Sequence, residues 1–477
     1  MFDAATAIPA RPDLAASTVN ATTIAIIGGG FSGTLLALHL LRRCPAHARI
    51  MLIERSRQHG PGLAYSTTNQ GHLLNVPAAK MSAFPDRPLD FLQWLQELPV
   101  EQRGNLTPEP GTFAPRALYG AYISSHLHQA MQDPAQRDRL FLIRDSVIGL
   151  DQGVQPIQLL LDHGKRIEAD LVVLATGNLT PCPIPVGDGS FFETSLYRHD
   201  PWAQETLTEL DPHAPVLLMG AGLTMVDTVI ALLDQGHRGP IHAVSRRGIL
   251  PHRHRPAAPA PALPSPYPTR LPALVRFVRA QAKAAGSDWR SVVDALRPHT
   301  TDLWQALSLD DQKRFLRHLR PWWDVHRHRM AAHVADRIDD ARARAQLRIH
   351  AGRLVALAAV GGMAAVTFRP RRAPNPVTLT VARVVNCTGP GIECGRLTDP
   401  LLLALLRDRV VRPDPLHLAL DVTPNGAVLG ADGALSQRIF AVGPVTRARF
   451  WEMTAVPDIR RQCENLAQHM AALVPAR

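Results

Sequence analysis

Paired cysteines are missing from this chain. The five that occur in 477 residues, Cys44, Cys182, Cys387, Cys394 and Cys463, form no C-x-x-C or C-x4-C unit. A dithiol redox centre is therefore excluded, and so low a density fits a reducing, cytoplasmic setting. Lysine is nearly absent, so the formal net charge of +11 is carried by arginine. The basic runs "HRGPIHAVSRRGILPHRHR", "DQKRFLRHLRPWWDVHRHRM" and "FRPRRAP" come without zinc-ligand spacing, a nucleic-acid-binding aromatic motif or a recognition helix. The charge suits an anionic small ligand, and no nucleic acid is expected. There is no Ser-His-Asp pattern and no cluster of metal ligands. His326 and His328 in "PWWDVHRHRM" stand at i, i+2, which on a helix points them to different faces, so no metal is expected.

Residues 1–21 lack a basic start followed by an apolar core, and read as a flexible extension rather than a signal peptide. The longest apolar run, "TIAIIGGGFSGTLLALHLL", is interrupted by Gly28, Gly29, Gly30 and Gly33. A membrane span is excluded in favour of a strand, a turn and a helix.

That stretch is the strongest positive signal. Gly28, Gly30 and Gly33 make G-x-G-x-x-G between a β-branched strand and a helical pattern that includes Phe31 and Ser32. The first glycine permits the tight turn, the second lets a pyrophosphate approach the backbone, and the third lets helix pack on strand. The helix N-terminus then offers its positive end to the phosphates. Glu54 closes the next strand, where a carboxylate can bind ribose hydroxyls.

A second opening follows in "LLMGAGLTMVD", with Gly220, Gly222, Leu223 and Thr224 at the turn and Met225 in place of the third glycine, which predicts looser helix–strand packing. Its second strand ends in Ser245, Arg246 and Arg247 with no acid. Arginine there pairs with a ribose 2′-phosphate and indicates NADPH; the alternative is a surface arginine pair. Two more strands end in small-Thr-Gly, at Ala175-Thr176-Gly177 and Cys387-Thr388-Gly389. Short apolar runs from Leu140 to Val173 read as a meander that returns to the parallel sheet. A Pro-rich crossing, "LTPCPIPVGDG", leads to the second lobe.

Taken in order, these elements predict an α/β protein of two Rossmann-like lobes. The first comprises 22–185 and 388–477, and the second 186–387 with a helical insertion at about 255–345.

The chain resembles the bacterial FAD/NAD(P)-binding proteins with a large inserted second lobe, relatives of the flavin-dependent N-hydroxylating monooxygenases. The likeness runs from about 22 to 472 and is carried by "GGGFSG", "HLLNVPAAKMSAFPDRPLDFLQWL", "FAPRALYGAYI", "GAGLTMVD", "WWDVHRHRM" and "FWEMTAVPDIR". It implies FAD on the first lobe and NADPH on the second. It also implies hydride transfer to the flavin, reaction with dioxygen, and oxygen transfer from a flavin C4a-hydroperoxide to a small amine or amino acid. The alternative is a flavin-dependent reductase or oxidase that inserts no oxygen.

Further FAD candidates follow. The loop "LNVPAAKMSAFPDRP" cannot be a regular element with Pro77, Pro85 and Pro88 so close together. It is either a flavin-facing wall, with Asn75, Lys80, Met81 and Ser82 in the cleft, or a connector. Arg116, in the first turn of the next helix, is either a FAD contact or a surface ion pair. Near the C-terminus "RIFAVGP" builds a strand and the Gly443 turn, but Pro444 stands where flavoproteins of this kind place an Asp, and it has neither carboxylate nor N–H. Thr454 is expected to cap the following helix, and Trp451 to line the cleft.

Overall fold

The computed structural model describes residues 21–178, 184–187, 189–255, 259–286, 288–389 and 398–475. The extension before residue 21, the crossing at 179–183, and Cys182 and Cys394 lie outside these. The chain divides into two compact units: Met1–Thr68 with Val76–Leu179 and Ile392–Arg477, and Asn69–Asn75 with Thr180–Gly391.

Unit one is built on a six-stranded sheet in the order Ala427–Leu429, Leu435–Ala441, Leu171–Leu174, Thr23–Ile27, Arg49–Glu54, Leu140–Arg144. All neighbours are parallel except the first pair. Continuous apolar runs are what a strand covered on both faces requires. Ile24, Ala25 and Ile26 have no solvent exposure. Because side chains alternate along a strand, Ala25 and Ile27 reach one side. There they pack with the three-stranded antiparallel meander (Val147–Asp151, Ile157–Leu161, Arg166–Ala169) and the Pro400–Arg407 helix. The meander is thus a separate small sheet; the run before it, Leu140–Arg144, is the edge of the main one. Helices Phe31–Arg43 and Val456–Leu473 pack against each other.

His39, on the Phe31–Arg43 helix, is buried against Phe84, and its Nε2 has no partner among the described residues. Burial, reinforced by Arg42 and Arg43, lowers its pKa from 6.5 to about 4. The folded chain therefore binds fewer protons than the unfolded chain in mild acid. This contribution to stability is present above pH 6.5 and is lost as pH falls toward 4, by about 3 kcal/mol at most. We expect His39→Leu to flatten the loss of melting temperature over that interval, as measured by thermal unfolding at stepped pH.

Unit two repeats the plan with a seven-stranded sheet in the order Val377–Val381, Met363–Pro370, Leu347–Val360, Ile241–Ser245, Val216–Met219, Arg383–Asn386, Tyr197–Arg198. The first two neighbouring pairs are antiparallel and the other four parallel. Between Ile241–Ser245 and Leu347–Val360 the chain makes helices Leu271–Ala284, Trp289–Leu296, Thr300–Ala306, Leu309–Arg314, Arg320–Arg327 and Ala332–Ala343.

The expected boundaries, 22–185 with 388–477 and 186–387, shift by a few residues at each crossing, to Leu179/Thr180 and Gly391/Ile392, and one internal segment, Asn69–Asn75, belongs to unit two. His72 Nε2 lies 3.0 Å from the Asp227 carbonyl oxygen, and its ring meets Trp202 edge-on at 5.9 Å. Gly71 lies directly on the Leu223–Asp234 helix, where a Cβ would stand 2.6 Å from Asp234 Oδ2 and 2.8 Å from Ile230 Cγ2.

Candidate dinucleotide sites

In unit one the Gly28 N–H donates to Ile53 O at 2.8 Å, and the residue has φ of +110°. A Cβ on Gly28 would sit 2.3 Å from Ala175 O, and one on Gly33 1.9 Å from Gly28 O. Both positions thus exclude any side chain, Gly28 for its left-handed backbone as well. At Gly30 the close approach is made by the protein itself, since a Cβ there would be 3.2 Å from Gly62 Cα.

Gly60 and Gly62 both have positive φ, and the Gly60 N–H donates to Gly29 O at 2.8 Å. This second glycine turn, "HGPG", was missed in the sequence, although glycines flanking a proline just after a strand are a visible turn signal. Glu54 accepts from Gly29 N at 2.7 Å through one oxygen and from Ser56 N at 2.8 Å through the other. A carboxylate has about four acceptor positions, so capacity for ribose hydroxyls remains.

The Phe31–Arg43 helix begins at Gly30 without a side-chain cap, so the first-turn N–H groups there have no capping side chain. Phe31 turns inward against Tyr65 and Tyr119, while Ser32 lies under Gly443. Thr176 Oγ1 is buried at the same sheet edge with no hydrogen-bond partner among the described residues. A buried polar atom of this kind calls for a partner. Beside it, Gly177 has φ of +71° and open space where a side chain would go.

Unit two repeats the first glycine of this turn closely. Gly220 has φ of +119° and donates to Val244 O at 2.9 Å, and a Cβ on it would be 2.4 Å from Cys387 O. Cys387-Thr388-Gly389 thus stands where Ala175-Thr176-Gly177 stands in unit one. Since Val244 corresponds to Ile53, Ser245 occupies the place of Glu54. Ser245 Oγ accepts from Gly248 N at 3.0 Å, Arg246 is exposed, and Arg247 Nη2 donates to His318 O at 3.0 Å with its guanidinium 5.8 Å from the Trp322 ring. The two arginines therefore differ: Arg247 is engaged by the insertion. Gly222 is exposed with nothing within 4 Å of a Cβ, at the uncapped start of the Leu223–Asp234 helix, whose first turn holds Leu223 and Thr224. Met225 is fully buried, so the expected looseness is filled by its own side chain.

The proline-rich loop divides differently from expectation. Asn75 is half-buried in the segment counted with unit two, whereas Met81 and Ser82 are buried in unit one. Ser82 Oγ lies 2.6 Å from Arg87 O and 3.1 Å from Phe84 N and O. Its hydroxyl is consumed within its own loop, which removes it as a cleft donor. The Ala83 N–H donates to Tyr122 Oη at 3.1 Å, and Tyr122 in turn donates to Asp90 Oδ2 at 2.5 Å. Burial and the Asp90 carboxylate push the Tyr122 phenol well above its usual range. The loop is rigidly held. Arg116 is half-buried at the first position of its helix.

Near the C-terminus Val442 N donates to Leu174 O at 3.0 Å, which brings Gly443, φ +79°, to the sheet edge that carries the Gly28 turn. A Cβ on Gly443 would lie 2.5 Å from Ser32 Oγ. Trp451 is buried at φ +51°, with Glu452 N donating to Phe450 O at 2.6 Å: a strained three-residue turn. Thr454 does not cap. It is exposed, its own N–H donates to Glu452 O, and the Val456–Leu473 helix starts at Ala455 with no side-chain cap. Arg329, in the "WWDVHRHRM" segment, forms a two-pronged pair with Asp294 at 3.0 and 3.2 Å. Among the described residues no group of His, Cys, Asp or Glu is placed to hold a metal, and no helix is long and apolar enough to cross a membrane.

Residues 25–179 match a family model described as FAD-NAD(P)-binding. No curated protein matches the chain in sequence. Among solved structures it is similar to the ornithine N-hydroxylase of Kutzneria sp. 744 (14% identity, 95% of this chain and 99% of that one, TM-score 0.64). It is also similar to the L-lysine 6-monooxygenase of Pseudomonas syringae (16%, 96% and 100%, TM-score 0.63). A third is the FAD-bound cadaverine monooxygenase of desferrioxamine biosynthesis from Erwinia amylovora (13%, 96% and 96%, TM-score 0.62). At such identities the shared property is the fold, two Rossmann-like units joined in one chain.

Proposed function

We infer that unit one holds FAD, unit two holds NADPH, and the chain is a flavin-dependent monooxygenase that uses dioxygen to oxygenate a small amine or amino acid. The observation that carries this reading is the duplicated turn with unlike second-strand ends, Glu54 in one unit and Ser245-Arg246 in the other. A carboxylate at that place selects ribose hydroxyls and would repel a 2′-phosphate. A serine followed by an exposed arginine does the reverse. The solved structures of the same two-unit fold named above are amine and amino-acid oxygenases, which supports the choice of reaction class.

Bound FAD would supply hydride acceptance and reaction with dioxygen. The protein's part is to bind and orient. The uncapped first turn after Gly30 would hold the pyrophosphate, Glu54 the ribose and Thr176 Oγ1 a polar edge of the cofactor, while Arg246 would hold the 2′-phosphate of NADPH. No protein nucleophile is required, since the attacking lone pair is the substrate's own.

The test is the visible spectrum of the FAD-loaded protein, first reduced anaerobically by NADPH and then mixed with oxygen in the presence of ornithine, lysine and cadaverine. A transient species between the reduced and oxidised spectra, with hydroxylated amine as product, is expected. Peroxide alone with every amine would establish a reductase or oxidase instead. A colourless protein that cannot be loaded with FAD would refute both.

Pro444 sharpens the assignment. It sits in the first positions of the Gly443–Thr446 turn, where its missing N–H costs nothing. Pro444→Asp should therefore retain FAD within about threefold of wild-type affinity, as measured by flavin content after gel filtration. Loss of the flavin from folded Pro444→Asp would count against the reading that this turn holds the flavin by shape, indifferent to the side chain at 444.

A further inference from the structure

We propose that Gln462 is the positioning residue of the FAD site and does the work left open by Pro444. The inference rests on the reading that unit one binds FAD. Gln462 Oε1 accepts the Gly443 N–H at 2.8 Å, its Nε2 donates to Thr446 Oγ1 at 2.8 Å, and Thr446 Oγ1 donates to Gly443 O at 2.8 Å. The three groups close a ring in which each end of the amide has one job, so its orientation is fixed by its partners. Gly443 and Thr446 are buried, so the Gly443 N–H has no solvent to fall back on and must be met by protein.

The consequence is specific. A flavoprotein that places Asp after this glycine holds the cofactor with a side chain. Here the Gly443 N–H is spoken for and Pro444 has none, so the turn makes contact by shape. Its position must then be set from behind, and Gln462 sets it. The same helix fastens two further parts of the site within four residues. The Arg460 guanidinium donates to Ser82 O at 2.8 Å, holding the Met81–Phe84 loop, and Cys463 Sγ donates to Ser32 O at 3.5 Å, under the first turn after Gly30. Val456–Leu473 thus fastens three segments of unit one: the Gly443 turn, the start of Phe31–Arg43 and the Met81–Phe84 loop.

The experiment compares wild type, Gln462→Leu, Gln462→Glu, Thr446→Val and the Gln462→Leu/Thr446→Val double variant. FAD dissociation constant, the visible absorption of bound FAD and its midpoint potential are read on each, with thermal unfolding alongside. Removing the acceptor leaves a buried N–H unpaired, so Gln462→Leu should weaken FAD binding about tenfold and shift both the visible band and the potential. Gln462→Glu keeps the acceptor and should restore affinity to within about threefold. The double variant should be no worse than Gln462→Leu, because the ring is already open. If Gln462→Leu folds poorly, Thr446→Val, close in shape, must show the same spectral shift.

Wild-type spectrum, potential and affinity in a folded Gln462→Leu would overturn the proposal, as would strictly additive losses in the double variant. Failure of the wild type itself to take up FAD would instead refute the assignment of unit one.

Discussion

Gly28→Ala should leave the protein without FAD yet able to bind NADPH, and Gly220→Ala should do the reverse. Each glycine lies deep in the left-handed region, at φ +110° and +119°, and in each case a Cβ would press on a backbone carbonyl oxygen, at 2.3 Å from Ala175 and 2.4 Å from Cys387. The conformational penalty for alanine alone is about 1–2 kcal/mol. The carbonyl is part of a strand end and cannot swing away as a flexible side chain would, so the turn must open. An opened turn displaces the first-turn N–H groups from the phosphates, and we expect at least a hundredfold weaker binding of the corresponding dinucleotide. Flavin content after gel filtration and NADPH titration by fluorescence measure the two losses separately. Gly222→Ala supplies the control: nothing lies within 4 Å of its Cβ, so unfolding should be unchanged. If both dinucleotides are lost together in either main variant, the two turns are not the independent sites the duplicated geometry describes.

The second large effect concerns coenzyme choice. Arg246→Ala should reduce the preference for NADPH over NADH by about tenfold to a hundredfold, the range for losing a hydrogen bond to a charged group. Arg246 is exposed beside Ser245, in the register occupied by Glu54 in unit one. Arg247 is different because its guanidinium already donates to His318 O. Its replacement should lower thermal stability more than it alters selectivity. The measurement is the ratio of flavin reduction rates with the two coenzymes at limiting concentration. An unchanged ratio in Arg246→Ala would remove this arginine from the 2′-phosphate site.

The glycine turns were legible in the sequence because they are local. A left-handed residue between a strand and a helix admits little but glycine, and the requirement is printed at the position itself. Glu54 and Ser245 were legible for a related reason, since the length of a βαβ unit places the end of its second strand. What escaped notice depends on segments far apart in sequence. The Gly60–Gly62 turn is needed only because it packs on Gly30, and Gln462 matters only because the helix brings it to Gly443. Ser82 looked available because nothing in "KMSAF" announces that its hydroxyl will be spent on Phe84 and Arg87. Thr454 had the right chemistry for a cap, but the strained turn at Trp451 and the Glu452 carbonyl claim the backbone before the helix begins.

The short passage Asn69–Asn75 bears on how the chain can be taken apart. On the map of the sequence, unit two reads as one contiguous insert, 186–387, a module that could be cut out and grafted elsewhere. Yet seven of its residues are supplied from a point more than a hundred positions upstream, and they lie on the Leu223–Asp234 helix with Gly71 against Ile230 and Asp234 and His72 on the Asp227 carbonyl. An excised Thr180–Gly391 fragment would carry that helix with part of its covering stripped off. Transplanting the second unit therefore means transplanting two pieces of chain.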